Sequence, residues 1–274
     1  MFKSTSARRL TLAGFLAMTA LVASVSANHS WGPYHWARTA NPFTLTVINS
    51  TTDDWDAYVA AAVVDWSQSP VLDLREEIGS TESKARRHCQ TTVGKLHICN
   101  LAYGYNGWLG IAGISIDAQG HIVTGYTKLN DSYFSLDSYN NPQWKQSVTC
   151  QELGHNFGLD HQDEDFDSND LNSCMDYQDP PYESPNQHDY DQLNTIYGHA
   201  DSYNSYVDGG GEGGSGCNAP SGKGCNRAGA GQDNADNGDR WGISLGRRSN
   251  REKFMRIDPD GTRHITFVTW AENH

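Results

Sequence analysis

Apolar positions recur at two different periods along this chain, and the change of period marks the elements. Phe43–Ile48 alternates β-formers with threonines and ends at Asn49-Ser50, which predicts a first strand. Thr51 followed by Asp54 resembles a capping box, and from there Trp55, Val59, Ala62, Val63 and Trp66 recur at helical spacing. Pro70 stops that helix, and Val71–Leu74 and Leu96–Leu101 are short strand candidates. Trp108–Ile116 and His121–Lys128 mix apolar and small residues around the turn Asp117-Ala118-Gln119-Gly120, which predicts a hairpin. Pro142 suits the first turn of a helix running through Trp144, Val148, Cys150 and Leu153 to about Phe157, with Gly158 as its left-handed cap. Ser184-Pro185 opens a last helix through Tyr190, Leu193, Ile196 and Tyr197, closed by Gly198.

The two ends of the chain follow other patterns. Lys3, Arg8 and Arg9 precede an apolar run from Leu10 to about Val25, and Val25-Ser26-Ala27 offers small residues for cleavage. Residues 1–27 therefore read as a secretory signal peptide, too short and interrupted for a membrane span. Asp208–Gly216 is a glycine-rich linker. The expected layout is a main domain over 28–207, the linker over 208–216, and a small β-rich tail over 217–274. The tail carries two strand-like runs, Phe254–Ile257 and His264–Trp270, and is small for a core of its own, so it either docks on the main domain or forms a stapled appendage.

Charge narrows the partners. The 274 residues hold 33 acidic and 20 basic side chains, and the signal segment removes three basic ones and no acidic ones. No basic patch remains for nucleic acid or an anionic membrane surface. Cys89, Cys99, Cys150, Cys174, Cys217 and Cys225 all lie beyond the signal, and an even count in an exported chain reads as disulfides. Six cysteines allow fifteen pairings, among which sequence cannot choose; proximity suggests Cys89–Cys99 and Cys217–Cys225, leaving Cys150–Cys174.

The chemistry concentrates between Gln151 and His161 (Gln-Glu-Leu-Gly-His-Asn-Phe-Gly-Leu-Asp-His). Residues four apart share a helix face, so Gln151 and His155 can converge on one ion while Glu152 sits beside them. Gly158 lets the chain turn and return His161 as a third ligand. Three ligands with an open fourth position describe a catalytic zinc site. Asp160, Asp163, Glu164, Asp165, Asp167 and Asp170 follow; such oxygens suit Ca2+, but no calcium-loop spacing is met, and a solvated acidic loop is preferred. The remaining histidines, among them His35, His121, His188 and His199, are scattered, and none pairs at ligand spacing.

This pattern resembles the metzincin zinc metallopeptidases, whose signature is HExxHxxGxxH followed by a methionine turn. Ser173-Cys174-Met175-Asp176-Tyr177 matches the second element, and Asp189–Gly198 looks like the closing helix of the matrixin subgroup. The resemblance covers roughly residues 43–198. It implies an α+β fold with a twisted mixed sheet and packed helices, and zinc held by Gln151, His155 and His161 over Met175. It also implies Glu152 as general base and Tyr177 as an extra ligand or oxyanion donor, or else as a core residue beneath the site. A substrate peptide would pair with an exposed strand, most plausibly Trp108–Ile116, along an open cleft. The departure is Gln151, which stands where the family has His. The expected function is a secreted zinc endopeptidase acting on protein or peptide substrates. The alternative is a secreted binding protein on a metal-poor metzincin frame. Oligomeric state, substrate preference and latency mechanism are not written in the sequence.

Overall fold

Strand β2 (Phe43–Ser50), helix α1 (Asp53–Trp66) and strand β3 (Leu72–Ile78) form the first packed unit of the chain, preceded by a two-residue strand β1 (His35–Trp36). The computed structural model describes residues 29–163, 169–207, 217–226 and 240–271. The signal peptide, the glycine linker and the acidic residues Glu164, Asp165 and Asp167 lie outside the described residues. Helix α1 buries Trp55, Val59, Ala62, Val63 and Trp66, the stripe its spacing predicts. Its N-cap is Thr52, not Thr51, because the Thr51 hydroxyl donates to Asn49 instead.

The chain continues through α2 (Ser83–His88), β4 (Leu96–Leu101), β5 (Trp108–Ile116), β6 (His121–Asn130), the short α3 (Asp131–Phe134) and the site helix α4 (Pro142–His155). Helix α5 (Gln187–Ile196) starts at Asn186 rather than at Ser184-Pro185. Asn186 and Asp189 form a reciprocal capping box there, satisfying amides that Ser184 would leave open. Strands β7 (Ile243–Arg248), β8 (Arg251–Ile257) and β9 (Arg263–Trp270) complete the order.

One sheet runs β3-β2-β4-β6-β5-β9-β8-β7, with β1 added beside β6. The β3, β2, β4 and β6 pairings are parallel, and every pairing from β6–β5 outward is antiparallel. The fold is thus α+β, a twisted mixed sheet with helices packed on it. Leu45, Val47, Leu109, Ile114 and Phe267 face Trp66, Val148, Leu153 and Leu193 in the main core. The opposite face is covered over Trp108 and Ile111 by Trp241, Phe254, Val268 and the Cys89–Cys99 bridge. The other two disulfides are Cys150–Cys174 and Cys217–Cys225. Among the described residues no helix is long and apolar enough to cross a membrane.

The expectation of an exposed β5 edge is corrected. All nine residues of β5 are buried, because β6 pairs along one side and β9 along the other. The tail supplies the ladder that a free edge would have offered to another chain.

Candidate functional site

Helix α4 is fixed at both ends by local chemistry. Pro142 stands in its first turn, the Asn141 side chain accepts from the Trp144 amide at 2.9 Å, and the helix closes at Asn156. Gly158 then takes φ +91°, and a Cβ on it would meet the Tyr34 carbonyl oxygen at 2.3 Å, so only glycine permits this exit. The exit folds the chain back, and the Leu159 carbonyl accepts from His155 Nδ1 at 2.9 Å. His161 arrives with its ring edge-on to His155, centroids 4.6 Å apart. Gln151, Glu152, His155 and His161 are thus brought together, and all four are buried.

The methionine turn lies beneath them. Met175 is fully buried, and its sulfur sits 2.7 Å from where a Cβ on Gly154 would be. The Cys150–Cys174 disulfide ties this turn to α4, and the Met175 carbonyl accepts from the Gln162 amide at 2.7 Å. Tyr177 stacks on His161, centroids 5.2 Å apart, but its hydroxyl donates to the Arg248 carbonyl at 3.4 Å.

The tail is the part of this site that sequence reasoning missed. Phe267 of β9 lies flat against His155, centroids 4.2 Å apart and planes 3° from parallel. Thr269 donates to Glu152 Oε1 at 2.5 Å and accepts from Gln151 Nε2 at 2.9 Å. On the neighbouring β8, Lys253 pairs with Asp160 at 2.7 Å and the Arg251 guanidinium covers the Tyr177 ring at 4.5 Å. The open cleft expected from the sequence is therefore closed: β9 runs through the place a bound peptide would take. In β5, Gly110 and Gly113 make room for Glu152 of α4 and for Tyr126 of β6, so neither signals the approach of β9. A Cβ on Gly110 would meet Glu152 Cγ at 2.7 Å.

The electrostatics suit a metal and a proton carrier. Burial pushes Glu152 up from the usual carboxylate range to about 7, against the downward pull of the Thr269 hydrogen bond and of Arg251. Burial holds His155 and His161 well below their ordinary value, so both imidazoles are neutral and able to coordinate. His155 commits Nδ1–H to a carbonyl, which leaves the Nε2 lone pair buried with no protein hydrogen-bond partner, and Glu152 Oε2 is likewise unpartnered. A buried imidazole lone pair without a protein partner is what a cation would satisfy; the ligand atoms of Glu152, His155 and His161 do not all lie within 4.8 Å of one another. Gln151 fits less well, since it turns its amide nitrogen toward His161 Nε2 at 3.4 Å. An amide nitrogen has no lone pair for a metal; a half-turn of the amide would present the oxygen instead.

No family model matches the chain, and no curated protein matches it. Among solved structures it is similar to high choriolytic enzyme 1, a hatching-enzyme zinc protease from the medaka fish Oryzias latipes. That likeness has a TM-score of 0.35 at 12% identity, and covers 60% of this chain and 94% of the other.

Proposed function

We propose that this chain is an exported zinc-dependent endopeptidase of the metzincin type, held latent by its own C-terminal hairpin. The observation that carries the reading is the buried, unpartnered Nε2 of His155, with the His161 ring returned edge-on to it by the Gly158 turn. His155, His161 and a turned Gln151 are the residues that would hold the metal. A zinc ion there supplies Lewis acidity for the scissile carbonyl and for the attacking water.

The remaining chemistry belongs to the chain. Glu152 takes the water's proton at Oε2 and returns it to the leaving amine, and its burial, which raises its proton affinity, suits it to carry that proton. Once β9 is displaced, strand β5 would offer its freed backbone to an extended peptide, and the place now held by Phe267 would favour an apolar side chain over His155. Gly110 keeps room for Glu152 beneath that peptide. The signal segment and three disulfides support an oxidising, extracellular setting. The metzincin level is where the reading rests; nothing singles out the matrixin subgroup.

Gln151 favours a second reading, a metal-poor frame that binds rather than cleaves, because its amide is engaged by Thr269. Zinc analysis and peptide cleavage separate the two. Under the first reading, His155→Ala with His161→Ala loses one zinc per chain, and Glu152→Gln keeps that zinc but loses cleavage. Cleavage that survives in Glu152→Gln rejects the mechanism, and a folded wild type whose zinc content the His155/His161 change leaves untouched favours the binding reading.

A further inference from the structure

A second set of metal-type donors converges far from Glu152, on residues that the sequence scatters over more than 160 positions. Asp201 Oδ1 lies 3.5 Å from His35 Nε2, 3.5 Å from His121 Nε2 and 3.6 Å from His199 Nε2. His35 Nε2 and His199 Nε2 are 3.1 Å apart. Ligands at about 2.0–2.1 Å from a tetrahedral zinc stand about 3.3–3.4 Å from one another. Four of the six edges are therefore close to those of an N3O tetrahedron; His35, His121 and Asp201 lie within 4.8 Å of one another, and the half-exposed His199 stands outside that group and would swing in to close the fourth corner.

The outward-facing atoms fix which nitrogens look inward. His35 Nδ1 is 2.7 Å from the Pro33 carbonyl oxygen, which can only accept, so that nitrogen carries the proton and Nε2 the lone pair. His121 Nδ1 is 2.6 Å from the Tyr203 hydroxyl, which itself donates to Asp117 at 3.2 Å, so His121 also directs its Nε2 lone pair toward Asp201. Such carbonyl and hydroxyl–carboxylate supports are how metal-bound imidazoles are held. Arg38, fully buried, takes the other Asp201 oxygen with Nη1 at 2.7 Å and its own amide at 3.0 Å, leaving Oδ1 aimed at the three rings. Without a cation, the His35 and His121 lone pairs face a carboxylate oxygen, and only His199 can offer a proton, to His35 Nε2 at 3.1 Å. Protonating the rings instead would set two imidazolium nitrogens 3.1 Å apart.

We propose that His35, His121, His199 and Asp201 form a closed structural zinc site, separate from the one around His155. Four protein ligands leave no open position, which is the structural rather than the catalytic pattern. The ion joins β1, the first residue of β6 and the segment after α5. It thereby stiffens the end of α4, because Trp36 next to His35 donates its indole N–H to the Asn156 carbonyl at 2.9 Å. This site does not depend on the peptidase reading.

The test is zinc content of the full chain after exhaustive dialysis, with thermal unfolding as a second readout. His155→Ala with His161→Ala should still hold one zinc, and Tm should rise with added zinc by mass action. Adding His121→Gln to that chain should abolish both. Because a buried change at His121 can disturb folding, His199→Ala, at a half-exposed ring, is the companion variant; it should weaken zinc retention at least tenfold with the fold intact. Cobalt loading of the His155/His161 variant should give the visible bands of a tetrahedral nitrogen–oxygen site. A His155/His161 variant that holds no zinc overturns the proposal, as does one whose zinc is unchanged by both His121→Gln and His199→Ala. A His155/His161 variant whose one zinc is lost on adding His121→Gln supports this site even if the double change itself removes no metal.

Discussion

Thr269, in the last strand of the chain, donates its hydroxyl hydrogen to Oε1 of Glu152 in the site helix at 2.5 Å. The residue proposed to carry the proton is therefore also the anchor of the segment that covers it. Thr269→Val keeps the shape and leaves a buried carboxylate oxygen without its donor, which costs about 1–3 kcal/mol. Urea unfolding should show a lower midpoint with an unchanged slope; a midpoint equal to wild type would mean the contact is energetically idle.

Gly110→Ala tests the close approach between β5 and α4. The added methyl would meet Glu152 and Val148 at 2.7 Å, both packed from behind, so neither can give way freely. A loss of about 1–3 kcal/mol is expected from overpacking. Any peptidase activity should fall further than stability does, because Glu152 moves. Stability and activity equal to wild type would show that the contact between β5 and α4 yields without cost.

His97 gives the chain a measurable acid sensitivity. Burial, with Lys95 adding to it, pushes His97 down from 6.5 to about 4. The unfolded chain takes up this proton near 6.5 while the folded chain refuses it until about 4. The contribution to stability is thus fully present above 6.5 and is lost as pH falls through 4. His97→Gln should flatten the decline of the urea midpoint across that window; an unchanged pH profile would show that folding does not alter the proton affinity of His97.

Gln151→His restores the imidazole that the metzincin pattern has at this position. The change removes the amide hydrogen bond to Thr269 and supplies a better nitrogen donor for zinc. Zinc affinity should rise, as read by competition with a chromophoric chelator. Affinity equal to wild type would mean that position 151 does not reach the metal.

Much of this was legible in the sequence, for a physical reason. The periods of α1 and β5, the Pro142 start and the Gly158 exit are local signals, and the chain obeys them locally. The spacing from Gln151 to His161 spans one helix and one turn, so linear distance converts directly into spatial proximity. The covering strand did not show itself, because nothing in Phe267 or Thr269 says which edge β9 will join. β9 joins β5 through the antiparallel backbone ladder, which leaves no side-chain signature in the sequence. The His35–His121–Asp201 cluster, with His199 beside it, was hidden for the same reason, since its members meet only once β1, β6 and the end of α5 are packed. The short β1, α2, α3 and the exposed β7 carried too little periodicity to be read.

The most direct measurement is cleavage of an internally quenched peptide by the zinc-loaded full chain carrying Phe267→Ala and Thr269→Ala. Removing a buried phenylalanine loosens its element by about 3–5 kcal/mol, and each 1.4 kcal/mol is tenfold in the opened population. The expected result is a rise in zinc-dependent cleavage of about tenfold or more over wild type, abolished when Glu152→Gln is added. A variant that folds and retains its zinc, yet cleaves nothing, would contradict a latent peptidase held shut by β9.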